Sequence, residues 1–71
     1  MDDKLKSKRN ELGYTQAYVA QKAGIGRTYY TEIENGNRRG SLDVWLSIAR
    51  VLNIPESEII AYMKKRRKKT A

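Results

Sequence analysis

Arg27, Thr28, Thr31, Glu32 and Asn35 fall on one side of a helix when residues 27–35 are set at about 100° per residue. These side chains suit recognition by hydrogen bonding rather than bond breaking. Arginine can donate twice to the O6 and N7 of a guanine. Threonine offers a hydroxyl to a base edge or a methyl to thymine. Glu32 stands out, because a carboxylate near phosphates is unfavourable. It can accept from a cytosine amino group, or it can hold Arg27 or another basic side chain in an ion pair. Tyr29, on the flank of this face, can pack on sugar or a thymine methyl, or cover the edge of the core. Tyr30 and Ile33 point the other way, toward a core.

A polar helix face also serves simple solvation. Thr28, Thr31 and Asn35, however, are mediocre helix formers, and a helix needing only solubility would favour Glu, Lys, Gln and Ala. Catalysis has little to work with. The chain has neither histidine nor cysteine, and its few acidic residues are spread over helix surfaces. No acid–base pair, nucleophile or usual zinc ligand set can be composed. The protein is not expected to be an enzyme, and no cofactor is expected.

Five helices and no strand are expected to carry these residues. The first covers about Asp2 to Leu12, with Leu5 and Leu12 on one face and Asp2 and Asp3 in a first turn where negative charge suits the helix dipole. Gly13 ends it. The second begins at Gln16 after Thr15, a good N-cap, and closes at Gly24. The third runs from about Arg27 to Asn35 between Gly26 and Gly36. The fourth runs from Leu42 to Leu52 behind Ser41, with Leu42, Trp45, Ile48, Ala49 and Leu52 at helical spacing. Pro55 opens the fifth, which passes Ile59, Ile60 and Met63 into a basic tail. Short connections make this a compact all-α domain.

The second and third helices meet the demands of a helix-turn-helix. Counting Gln16 as the first position, the fourth must be apolar (Val19) and the fifth small (Ala20), since the partner helix crosses there. Ala23 is small and apolar, Gly24 can reverse the chain with a positive φ, and Ile25 can plug the turn. Tyr30 and Ile33 serve as core positions of the second helix, provided that the Tyr30 hydroxyl finds a partner. In such a pair, the N-terminal turn of the second helix is the part that enters a DNA major groove.

With 71 residues the chain is one small domain. It has no apolar run of membrane-spanning length and no apolar core of a signal peptide, so a cytoplasmic protein is expected. The net charge of +7 comes mainly from "KKRRKK" at 64–69. The remainder holds nine basic and eight acidic side chains, a net of +1. The chain thus divides into a domain, 1–63, and a basic tail, 64–71. The tail is either a solvated terminus or a phosphate-contacting arm.

The stretch "YTQAYVAQKAGIGRTYYTEIENGNRRGSLDVWLSIARVLNI" resembles the XRE family, the phage-repressor and Cro type of helix-turn-helix, over roughly residues 5–61. The resemblance implies a five-helix lambda-repressor-like fold that binds double-stranded operator DNA as a two-fold homodimer and regulates transcription. By position it implies backbone contact from Gln16, base reading by Arg27, Thr28 and Glu32, and a DNA-facing Thr31. It also implies a backbone-contacting loop of Asn35, Asn37, Arg38 and Arg39, and an internal ion pair of Arg9 with Glu34. "RTYYTEIE" is similar to the small controller proteins of restriction-modification systems, and phage and mobile-element repressors carry similar residues. Gly40 departs from the family, where many members have a proline, and implies a more mobile loop. Ile60 and Met63, with Leu46 and Val51, exceed what a small core needs; they either offer a dimer surface or are ordinary scatter of surface apolar residues. Two alternatives stay open: an antitoxin-type or other protein-interaction module of the same fold, and an RNA binder driven by the tail.

Overall fold

The computed structural model of the protein describes residues 4–67. It holds five helices: α1 (Lys4–Leu12), α2 (Gln16–Ala23), α3 (Arg27–Asn35), α4 (Leu42–Leu52) and α5 (Glu56–Arg67). The acidic first turn expected at Asp2 and Asp3, and Lys68 and Lys69 of the tail, lie outside the described residues. The last helix continues past Met63 as far as Arg67, carrying the start of the basic run in helical form.

Side chains and backbone mark the helix ends together. The Thr15 Oγ1 accepts from the Tyr18 N–H at 3.0 Å, and the Ser41 Oγ from the Val44 N–H at 3.3 Å. Each cap satisfies a donor that the first helical turn leaves unpaired, worth about 1 kcal/mol. The first four helices end alike. The residue after the left-handed position donates back across the last turn: Tyr14 to Arg9, Ile25 to Ala20, Asn37 to Glu32 and Ile54 to Ala49. In α4 the left-handed residue is Asn53, at φ 59°, a conformation that asparagine tolerates better than most residues. In α2 it is Gly24, at φ 78°, and the reversal brings α3 against α2.

The core is shared among all five helices. Leu5, Val19, Ala20, Tyr30, Ile33, Trp45, Ile48, Ala49, Leu52, Ile54, Ile59 and Tyr62 are buried. The central element is α4, which packs on α1, α2 and α5, while α2 also carries α3. Trp45 meets the Tyr62 ring edge-on at 5.9 Å between centroids. Burying side chains of this size stabilises by roughly 1.5–3 kcal/mol each.

Two residues depart from the expected pattern. Leu42, placed with the apolar stripe of the fourth helix, is 48% exposed. It opens the helix directly after the Ser41 cap, one turn before Trp45 reaches the core. Gly40 has φ +75°, and a Cβ there would lie 3.1 Å from both Ile33 Cδ1 and Trp45 Nε1. The glycine is explained by a left-handed backbone pressed against the core. Among the described residues no helix is long and apolar enough to cross a membrane.

Candidate nucleic-acid interface

The outward face of α3 is built on a buried carboxylate. Glu34 lies on α3 with its side chain 2% exposed. Arg9 of α1 donates to it through Nε at 2.8 Å and Nη2 at 3.4 Å. Gln16, the first residue of α2, donates through Nε2 at 2.6 Å, and the Tyr30 hydroxyl donates at 3.1 Å. Arg9 also donates to the Tyr14 carbonyl at 3.0 Å. One carboxylate thereby joins three helices, with charge-assisted bonds stronger than neutral ones. This network gives the buried Tyr30 hydroxyl its partner.

The electrostatics follow from the geometry. Burial pushes the Glu34 carboxyl up, but hydrogen bonds from Arg9, Gln16 and Tyr30, with the Arg9 charge, outweigh it and hold the group below the usual glutamate range. Burial raises the Tyr30 phenol, and the adjacent Glu34 charge adds to the shift. The hydrogen bond to Glu34 raises Arg9, so this pair is ionised at neutral pH.

The outer side of α3 is polar. Arg27, Thr28 and Asn35 are exposed, while Tyr29, Thr31 and Glu32 are half-buried. Among the described residues nothing pairs with the Arg27 guanidinium, which stands at the N-terminal end of the helix. Glu32 pairs not with Arg27 but with Arg38, whose Nε lies 2.7 Å from its Oε1. The Arg38 guanidinium also covers the Tyr29 ring at 5.3 Å. Tyr29, Glu32 and Arg38 thus form one clasp from the helix to the loop behind it, which identifies the basic partner of Glu32 that the sequence leaves open. The clasp depends on the reversal at Gly36, which returns the chain over the last turn of α3.

Asn37, Arg38 and Arg39 are exposed on that loop. The Arg39 carbonyl accepts from the Trp45 indole N–H at 2.6 Å, which anchors the loop to the core. At α2, Gln16 donates to Glu34 and accepts from the Thr31 hydroxyl at 3.2 Å. A second aromatic group occupies the outer side of α2. There the Tyr14 and Tyr18 rings lie 4.6 Å apart and the Lys22 ammonium is 5.6 Å from the Tyr18 ring. Tyr18 and Lys22, four residues apart on α2, are the sequence signal for one half of it, while Tyr14 precedes the helix. Leu46, Val51, Ile60 and Met63 are half-buried and pack against the core.

These groups are suited to hydrogen bonding and ion pairing. Donors, acceptors and an arginine, Arg27, that has no partner among the described residues are presented on a helix braced from behind. Among the described residues no three His, Cys, Asp or Glu side chains cluster to hold a metal ion.

A family model described as helix-turn-helix matches residues 5–59. YqaF of Bacillus subtilis (strain 168), described as an uncharacterized HTH-type transcriptional regulator, is 58% identical over 40 residues. The match takes in 56% of this chain and 53% of that protein, so the chain spans about half the length of this curated relative. No solved structure matches. The turn at Gly24, the two helices it joins and a family match over residues 5–59 agree, and the chain belongs to the XRE-type helix-turn-helix family.

Proposed function

We propose that the protein is a DNA-binding transcriptional regulator that inserts α3 into the major groove of double-stranded DNA and binds palindromic operators as a homodimer. The observation that carries this reading is the outward face of α3, with Arg27 at its leading end unpaired among the described residues and Glu34 bracing the helix from behind. A helix in this position reads bases with its N-terminal residues. Arg27 supplies two donors for a guanine, and Thr28 and Thr31 stand beside it. Gln16, Asn35, Asn37, Arg38 and Arg39 position the domain on phosphates. Arg38 offsets the Glu32 charge, so the carboxylate does not face the DNA backbone uncompensated.

Outside the tail the net charge is only +1, so a single domain binds DNA weakly. Two domains on half-sites about one helical turn apart multiply their contacts. The residues proposed for pairing are the half-buried Leu46, Ile60 and Met63, together with Val51.

The test is to select binding sites from random duplex DNA with the full chain and then weigh the complex. A palindromic site carrying two chains supports the reading. Absence of enrichment over random DNA overturns it and favours a protein-interaction module. Two expected results sharpen the assignment. Arg27→Ala should relax preference at one base pair per half-site and cost roughly 1–3 kcal/mol there, read by binding to single-substitution operators. Unchanged base preference would remove Arg27 from the reading set. Replacing the six basic residues at 64–69 by glutamine should weaken binding to every duplex. The slope of log affinity against log salt should shrink by about 0.9 for each phosphate that the tail neutralises. An unaltered slope would make the tail a bystander.

A further inference from the structure

The hydrogen bonds behind α3 have a direction, and the direction reaches the outward face. Glu34 is paired with Arg9 and, as a carboxylate, can only accept. The Gln16 atom 2.6 Å from Glu34 Oε1 is therefore the amide nitrogen, and chemistry settles the orientation of this amide. The Gln16 oxygen then faces the Thr31 Oγ1 at 3.2 Å. An amide oxygen cannot donate, so the hydroxyl hydrogen of Thr31 lies on this bond. A threonine hydroxyl has one hydrogen. What Thr31 still presents outward is an acceptor lone pair and a methyl group.

We propose that Thr31 is a specificity-determining residue that meets DNA as an acceptor, selecting a base with an exocyclic amino group in the major groove, and that Gln16 is the positioning residue that sets this polarity. The proposal rests on the reading of α3 as the major-groove helix. Adenine presents its N6 amino group there and cytosine its N4 amino group; guanine O6 and thymine O4 present acceptors that Thr31 has no hydrogen to meet. Thr28 is different. It is exposed and has no hydrogen-bond partner among the described residues, so its hydroxyl turns to suit either kind of base edge.

The test uses the full chain and the operator obtained by selection. Every position of one half-site is replaced in turn by each other base pair, and affinities are measured for the wild type, Thr31→Val, Thr31→Ser and Gln16→Leu. Thermal melts check that each variant folds. At one position the wild type should favour adenine or cytosine by roughly two- to tenfold, the range of one net hydrogen bond. Thr31→Val, which keeps the shape and loses the lone pair, should abolish that preference and leave the other positions unchanged. Thr31→Ser should retain it. Gln16→Leu frees the hydroxyl hydrogen, so guanine and thymine should bind there as well as adenine and cytosine, whatever uniform loss accompanies the change. Where the favoured base is adenine, purine lacking the amino group should weaken the wild type by the same factor and Thr31→Val not at all. A base preference that survives in Thr31→Val, or a wild-type preference for guanine or thymine at the position Thr31 controls, overturns the inference while the DNA-binding reading stands. A wild-type chain that binds all duplexes alike overturns both.

Discussion

Arg9→Ala is expected to remove about 3–5 kcal/mol of folding stability, the usual cost of stripping one partner from a buried ion pair. The reason is what remains. Glu34 stays in the core with its side chain 2% exposed, and its strongest donor is gone. Gln16 and Tyr30 still donate to it, but neither carries a charge. A domain of this length has a total stability of about 4–10 kcal/mol, so the loss is a large share of the whole. The melting temperature should fall by at least about 12 °C. The base preference of whatever variant remains folded should change little, because Arg9 lies behind α3 and not on its outward face. A variant that melts like the wild type but reads different bases would place Arg9 at the DNA instead.

The pH dependence of the same pair supplies an independent check. In the wild type the Glu34 carboxyl is held below its ordinary value of 4.5. Its contribution is therefore fully present above that value and is lost as pH falls through the lower folded value. In Arg9→Ala, burial acts without the arginine to oppose it and raises the carboxyl, which then takes up a proton in milder acid. The stability gap between the two proteins should be widest near neutrality and narrow on acidification. A gap that holds constant down to pH of about 3 would mean that the two side chains do not interact as an ion pair.

The parts of this molecule legible in its sequence are those set by local demands. Ala20 has to be small where two helices cross, and Gly24 has to take a positive φ; each demand names its residue without reference to distant chain. The caps at Thr15 and Ser41 are of the same kind. The bracing of α3 is only half visible. Arg9 and Glu34 emerge as a pair through the family pattern, and Tyr30 needs a partner that the sequence does not name. The partner is Glu34, four residues along the same helix, because one carboxylate serves both requirements. The Arg38–Glu32 clasp is less accessible, since it depends on how the chain folds back after Gly36. Leu42 misleads because periodicity records the face of a helix and not where along its length the neighbour begins. Tyr62 and Ile54 escape notice as core residues for the opposite reason. Tyr62 sits just before a basic run that masks the apolar face of α5, and Ile54 is buried from a turn, where no periodicity applies.

Gly40→Ala is expected to be the other severe change, costing about 2–5 kcal/mol of stability and weakening DNA binding beyond what the stability loss explains. Two costs add. A left-handed backbone costs an L-residue about 1–2 kcal/mol. The added methyl also meets Ile33 Cδ1 and Trp45 Nε1, each at 3.1 Å, and overpacking of a core typically costs about 1–3 kcal/mol. Neither neighbour can easily give way. Ile33 is fully buried, and the Trp45 indole is held by its hydrogen bond to the Arg39 carbonyl. Relief must come from the loop itself, which moves the Arg39 carbonyl away from Trp45. That loop carries Asn37, Arg38 and Arg39, so its displacement disturbs the proposed phosphate contacts and pulls Arg38 away from Glu32. Affinity should drop for every duplex alike, with the base preferences of α3 retained, and the indole hydrogen bond should weaken in the amide and indole NMR spectrum. A Gly40→Ala protein that keeps both its melting temperature and its affinity would mean that the loop adjusts freely and that Trp45 does not hold it in place.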